Sequence, residues 1–363
     1  MSLTSHLCER IRREGPITFH DYMQVALYDT QLGYYNRADR VRWGKTGDYR
    51  TSPETSGLFG AIFALYFARL FAELGSPACF TIVEVGAGDG RFAAQVLETA
   101  AQRVPSLSKS LDYVIDEISR DARSRAGERL ARFENQVRFK RLDELDLVES
   151  GIIFSNELVD AFPVHRLGYK DGTLFEFYVG LSDETKFGWV EGPISSPRVF
   201  DYLKRFQIQP TEGQVFEINL AVEDWLRGVA DKLKQGYLLA VDYGADVKEL
   251  YHHPARFDGT LRAFRHHSFA GELLNSPGER DITSTVNWTA LKEFGRDKGF
   301  ELVLFERLDR FLLDQGLMEE LERRAGAAET EAERTQIRAS VREMVLPGGM
   351  ASSFQVLVQR KEN

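Results

Sequence analysis

Three alternating glycines close an apolar run in the stretch Ile82-Val83-Glu84-Val85-Gly86-Ala87-Gly88-Asp89-Gly90-Arg91-Phe92. β-Branched residues dominate the run before them, which reads as a buried strand. The stretch after them, RFAAQVLETAAQRV, carries apolar residues at helical spacing. The glycines therefore form a strand-to-helix turn, the place where doubly wound α/β sheets bind ligands. Glycine permits positive φ and lets a ligand approach the backbone closely. A dinucleotide fingerprint, G-x-G-x-x-G, requires glycine where Arg91 stands. The spacing here is E-x-G-x-G-x-G, with Glu84 two residues ahead of Gly86, and it fits S-adenosylmethionine (SAM) better than NAD. SAM has no phosphate to cradle, and its cationic amino group favours a carboxylate such as Glu84 or Asp89.

Two acidic clusters follow at the ends of further apolar runs. Glu117 lies 27 residues after Gly90, just beyond Leu111-Asp112-Tyr113-Val114-Ile115. In a doubly wound fold that position faces the ribose of a bound nucleoside. Asp116 is the neighbouring alternative, because one register step exchanges the side chain that faces the pocket. The stretch Ser155-Asn156-Glu157-Leu158-Val159-Asp160-Ala161-Phe162-Pro163 follows the run Gly151–Phe154 at the carboxyl edge of the same sheet. Asn156 and Glu157 are placed to contact cofactor or substrate. Glu157 and Asp160 can hold a cationic nucleophile or take its proton. The competing reading is a helix N-cap at Asn156, with the acids favoured by the helix dipole.

The elements that position these groups are legible as periodic segments. Residues 1–30 read as helical, with Phe19, Met23 and Leu27 recurring every fourth position. LFGAIFALYFARLFAEL is a strongly apolar helix. Five strands follow, at 80–85, 111–115, 137–139, 151–155 and 237–241. The helix AVEDWLRGVADKLKQG before the fifth strand carries a glycine expected to stop it. The interval between strands four and five is too long for one crossover. Within it, VHRLGYKDG, TLFEFYVGL and FGWVEGPI read as an antiparallel insertion turned at Asp171-Gly172. FELVLFERL and SSFQVLVQR make a late strand pair, separated by a helix-rich stretch at 312–345. The charged 319–337 segment reads as a solvated helix pair. By spacing alone, the PGERDIT stretch at 277–283 is a turn with an Asp or Thr cap.

The chain has 363 residues, 43% of them hydrophobic, and a formal net charge of -9. The charge argues against a general nucleic-acid binder. No apolar run reaches the roughly 18 residues of a membrane span. The two cysteines, Cys8 and Cys79, lack metal-ligand spacing and fit a reducing compartment, and a cytoplasmic location is expected. The histidine pairs His252-His253 and His266-His267 have no accompanying cysteine, and no metal site is expected.

Several blocks together resemble one family. They are GYY at 33–35, GDYRTSPETSGLFG at 47–60, EVGAGDGR at 84–91, NELVDAFPV at 156–164, DYG at 242–244, GTLRAFRHH at 259–267 and PGERDIT at 277–283. In this order the chain is similar to the MidA family (DUF185), SAM-dependent methyltransferases related to the mitochondrial complex I assembly arginine methyltransferase. The resemblance implies a class I methyltransferase fold: a Rossmann-like, doubly wound α/β sheet with an antiparallel last strand. A helical N-terminal cap with a lid loop occupies 1–78, the core 79–163 and 219–363, and an inserted β-rich substrate subdomain 164–218. It implies SAM contacts at Gly86, Gly88, Gly90 and Glu117, with Glu84 and Asp143 beside them, and with Thr51, Pro53, Glu54 and Asn156 lining the site. It implies transfer to a protein arginine side chain, with Glu157, Asp160 and Asn156 as catalytic candidates. The expected partners are a protein substrate, with a respiratory complex subunit as one candidate, and a second copy of the chain. Three departures stand out: Asn287 where an aspartate is expected, Ala351 where glycine usually follows the methionine, and Asp89 where a threonine or small residue is more common.

Overall fold

The protein is described from a computed structural model, covering residues 2–37, 57–265, 268–269, 273–341 and 350–363. Thr51, Pro53, Glu54 and the whole 47–54 stretch lie outside the described residues.

The first thirty residues form two helices, not one run. α1 (Leu3–Glu14) ends where Gly15 adopts φ 83° and donates its N–H to Ile11. Glycine supplies the left-handed geometry, and Pro16 cannot continue the helix. Thr18 then caps α2 (Phe19–Tyr28) by accepting the Asp21 N–H at 3.1 Å. The apolar helix α3 (Leu58–Glu73) packs on the sheet.

The central sheet begins with β1 (Phe80–Val85), every residue of which is buried. α4 (Arg91–Arg103) follows, then β2 (Leu111–Asp116), α5 (Arg120–Leu130), β3 (Val137–Phe139) and β4 (Val148–Asn156). The chain next enters the insertion: β5 (His165–Lys170), β6 (Thr173–Leu181), β7 (Phe187–Gly192) and β8 (Val215–Ile218). It returns through α6 (Ala221–Lys232) to β9 (Leu233–Ala245), then α7 (Trp288–Asp297), β10 (Phe300–Arg307) and β11 (Phe354–Lys361). The sheet order is β10-β11-β9-β4-β1-β2-β3, and the short strand Val286–Asn287 also pairs with β9. β9 runs parallel to β4, whereas β11 is antiparallel to both β9 and β10. This is the doubly wound arrangement with a reversed late strand.

Aromatic side chains join the layers above the sheet. Phe92 of α4 stacks on Phe154 of β4 with centroids 4.5 Å apart, and Phe63 of α3 meets Phe154 at 5.3 Å. Burying each such ring stabilises the fold by about 1.5–3 kcal/mol. This packing fixes the glycine turn, which lies between β1 and α4.

The insertion is a second sheet. β5 and β6 form a hairpin through Asp171 (φ 51°) and Gly172 (φ 70°), the positive-φ pair that a two-residue turn requires. The strand Ile17–Thr18, just ahead of α2, pairs antiparallel with β6, so the N-terminal helices are stitched to the insertion.

Three expectations need correction. Gly236 does not stop α6: the helix ends at Lys232 and Gly236 lies inside β9, where an added Cβ would come within 1.9 Å of the Gly151 carbonyl oxygen. Close approach of β9 to β4, not capping, requires this glycine. The 281–283 segment is a short strand, not a capped turn. The 319–337 segment is only partly solvated, because Glu320 is buried and paired with Arg103, Arg323 and Arg324. Asn287, the departure noted above, caps α7: its side chain accepts the Ala290 N–H at 3.1 Å and donates to Tyr202 at 2.8 Å. Among the described residues no helix is long and apolar enough to cross a membrane.

Candidate functional site

The carboxyl ends of β1, β2, β4 and β9 open into a cavity of about 1550 Å³. Its floor is the glycine turn. Gly86, Gly88 and Gly90 have φ of 73°, 56° and 72°, a run of left-handed geometry that residues with side chains rarely adopt. Gly86 N–H donates to the Asp116 carbonyl at 2.8 Å, anchoring the turn to the end of β2. A Cβ at Gly86 would lie 3.0 Å from Leu158 Cδ1, and one at Gly90 would lie 2.9 Å from Ala126 Cβ. Bare backbone is thus required where the turn meets the segment after β4 and where it meets α5.

The structure separates the two acids at the end of β2. Asp116 turns away: it accepts the Leu142 N–H at 2.9 Å and pairs with Arg141 at 3.0 Å. Glu117 turns toward the glycines. Its carboxylate accepts the Gly88 N–H at 2.8 Å through one oxygen and the Ser119 N–H at 2.7 Å through the other. A carboxylate has about four acceptor positions, so capacity remains for a ligand's hydroxyls. Asp143, on the turn after β3, lines the same wall.

Glu84 is buried beneath the turn and accepts the Tyr113 hydroxyl at 2.7 Å. Burial pushes its carboxyl up to about 8, partly opposed by that hydrogen bond. Asp89 is committed elsewhere: Arg91 at 3.2 Å and Arg129 at 2.8 Å both reach its Oδ2. Of the two acids expected near a cationic amino group, Asp89 is thus neutralised by guanidinium groups, and Glu84 is held by a neutral phenol.

Beyond β4, Glu157 holds φ 51°, an uncommon conformation for a side chain of its size. Its N–H donates to the Val241 carbonyl at 2.9 Å, and Asn156 Nδ2 donates to its Oε1 at 3.1 Å. Asn156 therefore orients Glu157 and does not cap a helix; the segment continues as the 3-10 turn Val159–Ala161. Asn156 Oδ1 is buried without a hydrogen-bond partner. A left-handed residue beside an orphaned acceptor is a strained arrangement of the sort that concentrates at functional sites.

Asp160 is buried on the wall beyond Glu157. Desolvation, and then the charges of Asp242 and Asp281, raise its carboxyl well above the usual range. Asp242 accepts the N–H groups of Val159 and Asp160 at 3.0 and 3.2 Å and so fixes the 3-10 turn; burial raises it to about 7. Asp281 closes the wall, accepting the Tyr35 hydroxyl at 2.8 Å. Tyr28 donates to the Ala161 carbonyl at 2.8 Å, and Tyr243 to Thr283 at 2.6 Å. This half of the cavity is an acidic, tyrosine-lined chamber. Sequence reasoning misses Tyr28, Tyr35, Tyr243 and Asp242; the GYY and DYG blocks are the available signal. The structure brings Glu84, Gly86, Gly88, Glu117, Asp143, Asn156, Glu157 and Asp160 to this one cavity, whereas Gly90, expected among them, packs against Ala126 of α5 and does not line it.

Around the glycine turn the wall offers acceptors, and of the cavity's other cations Arg141 is paired with Asp116 and Arg256 with Glu249. The glycine turn is bare, Glu117 and Asn156 Oδ1 present oxygens, and the two arginines nearest the turn are engaged by Asp89. That suits a ligand whose ribose hydroxyls and ammonium are donors, which is the chemistry of SAM.

Comparison with known proteins decides the matter. A family described as S-adenosyl-L-methionine-dependent methyltransferase, which contains the MidA-like (DUF185) proteins, matches residues 62–305. The chain belongs to this family. It is 27% identical over 327 residues to the protein arginine methyltransferase NDUFAF7 homolog, mitochondrial, of Drosophila melanogaster, covering 82% of this chain and 71% of that one. To the human protein arginine methyltransferase NDUFAF7, mitochondrial, it is 26% identical over 309 residues, covering 81% of this chain and 68% of the relative. A COG1565 superfamily member and likely methyl transferase from Burkholderia thailandensis, solved with S-adenosyl-homocysteine bound, superposes with TM-score 0.86 at 27% identity. That match covers 99% of this chain and 92% of the other. The MidA-family protein described here is thus a methyltransferase with a Rossmann-like fold, and its cofactor is SAM.

Proposed function

We propose that this MidA-family enzyme transfers the methyl group of SAM to an arginine side chain of a protein. The observation that carries the proposal is the chamber beyond the glycine turn, where Glu157, Asp160 and Asp281 face one cavity with Tyr28, Tyr35 and Tyr243 between them. Burial and mutual repulsion hold back the ionisation of Asp160, and a cation placed among these acids favours their charged forms. A guanidinium, planar and permanently charged, supplies that cation and several N–H donors. The names of the NDUFAF7 relatives support the same acceptor.

In this reading Gly86 and Gly88 receive the cofactor along bare backbone, and Gly90 seats the turn against α5. Glu117 accepts the ribose hydroxyls, Asp143 stands at the base, and Glu84 and Asn156 face the amino-acid end. SAM supplies an electrophilic methyl group on a sulfonium. Glu157, oriented by Asn156, accepts the proton that the guanidinium nitrogen sheds as it is alkylated. Asp160 and Asp281 hold the rest of the positive charge. Asp242 acts indirectly, by fixing the turn that carries Asp160. Much of the acceleration in such an arrangement comes from orientation.

Incubating the enzyme with radiolabelled SAM and a lysate from a strain lacking it, followed by mass spectrometry of labelled proteins, tests the proposal. Methyl-arginine made by the wild type and missing with Glu157→Gln is the expected result. Label on a different residue type, or on small molecules only, contradicts it.

A further inference from the structure

The acidic chamber carries a positive charge on its rim. Arg262, which opens the strand Arg262–Arg265, lines the cavity and is exposed. This strand pairs antiparallel with Asp281–Thr283, and Arg262 stands opposite Thr283. Opposed residues of an antiparallel pair share a face, as do alternate residues of one strand. Arg262, Thr283 and Asp281 therefore lie on one side, and all three line the cavity. Arg262 is the diagonal neighbour of Asp281, a separation of about 7 Å.

The two opposite charges do not close on each other. Tyr35 holds Asp281 at 2.8 Å, and the Arg262 guanidinium lies over the Tyr243 ring, 5.7 Å from its centroid. Among the described residues Arg262 makes no ion pair. Arg256, also on this side of the cavity, differs: it pairs with Glu249 at 2.9 Å and donates to Thr285 at 3.4 Å. A guanidinium resting on an aromatic face keeps its fork of N–H groups for another acceptor.

The backbone that carries Arg262 is clamped by the insertion. Glu217 of β8 is buried and accepts both the Thr260 N–H at 2.7 Å and the Thr260 hydroxyl at 3.1 Å. Gly259, at φ 88°, lies so close that an added Cβ would come within 2.4 Å of the Glu217 carboxylate. Thr260 Oγ1 in turn accepts the Thr285 N–H at 3.2 Å. Arg262 is thus presented two residues beyond a fixed point.

An acceptor arginine reaches the chamber acids with its long side chain, which leaves its backbone at the rim. Two residues of extended chain span about 7 Å, so side chains that close to the target meet Arg262. We propose that Arg262 is a specificity-determining residue of the acceptor site, binding a carboxylate one or two residues along the acceptor chain from the arginine that is methylated. The preferred acceptor is then an arginine with Asp or Glu beside it. This rests on the arginine acceptor proposed above.

Mass spectrometry of the sites that the wild type labels in a lysate from a strain lacking it reads the neighbours of each methyl-arginine. One labelled protein is then purified with its acid kept, or changed to Asn or Lys, and assayed with wild type, Arg262→Gln and Arg262→Glu. Asp or Glu within two residues of the labelled arginines is expected. In the wild type, changing that acid to Asn should raise KM about tenfold with kcat little altered. Arg262→Gln should treat the acid and Asn acceptors alike. Arg262→Glu should prefer the Lys acceptor, a reversal that a merely structural defect does not produce. Calorimetric titration of SAM should give both variants an affinity within about twofold of wild type. Methyl-arginine without acidic neighbours, a preference for the acid that survives Arg262→Gln, or lost SAM affinity in Arg262→Gln overturns the assignment. A wild type that makes no methyl-arginine overturns the acceptor reading itself, a separate result.

Discussion

The Tyr35 hydroxyl donates to Asp281 Oδ1 across 2.8 Å. The first forty residues and the segment after β9 thereby meet at one carboxylate. Tyr35 lies on the turn following α2, and its ring packs against Tyr28 with centroids 5.4 Å apart. The N-terminal helices are thus part of the chamber wall. Tyr35→Phe should raise the acceptor KM about threefold to tenfold, the loss of one hydrogen bond to a charged group, while SAM affinity is unchanged. A parallel loss of SAM affinity would contradict a role confined to the acceptor side; steady-state kinetics with the unmethylated acceptor protein, together with calorimetric titration of SAM, reads both.

Glu157 combines strain with chemistry. At φ 51° a glycine is more comfortable than a glutamate. Glu157→Gly should raise unfolding stability by about 0.5–1 kcal/mol in a urea titration and abolish turnover. A destabilised but active variant would remove Glu157 from the proposed role.

Burial of Glu84 predicts a pH dependence of stability. Its folded-state carboxyl stands at about 8, against an ordinary carboxylate value of 4.5. The folded state therefore binds a proton more tightly than the unfolded chain. The favourable contribution is complete below the unfolded value and is lost as pH rises toward about 8. Asp242, raised to about 7, acts in the same direction. The melting temperature of the ligand-free protein should fall between about pH 5 and pH 8, and Glu84→Gln should flatten part of that slope. Differential scanning calorimetry in buffers of equal ionic strength reads the difference; an unchanged slope in the variant contradicts the assignment.

Gly236 tests the packing of the sheet. Its added Cβ would sit 1.9 Å from the Gly151 carbonyl oxygen, a backbone atom that cannot swing aside. Gly236→Ala should destabilise the protein by on the order of 3 kcal/mol. A wild-type denaturation midpoint would mean that β9 and β4 are farther apart than described.

Legibility in the sequence varies with the kind of signal. The strand–turn–helix at 80–103 is legible because β-branched residues, glycines and helical periodicity agree on one local answer. Glu117 is legible from strand-end geometry, although only the packed turn separates it from Asp116, whose partners Arg141 and Leu142 come from the next strand's loop. Gly236 misleads, because a glycine after a helix and a glycine required by a neighbouring strand look alike in one dimension. Trp225 carries no local motif, and Tyr35, although it ends the GYY block, reaches the cavity wall only through its contact with Asp281 far along the chain. Asn156 is readable as a cap or as a site residue, and the left-handed turn at Glu157, invisible in the sequence, decides between them.

The function of every residue named in the cavity depends on the adenosyl sulfonium lying along the bare backbone of residues 86–90. Isothermal titration of SAM into wild type and Gly88→Val tests this most directly, since Gly88 sits at φ 56° with its N–H on Glu117. One binding site in the wild type and no measurable heat in the variant is the predicted result, with the melting temperature of the variant showing that it is folded. Equal affinity in the two proteins would contradict it.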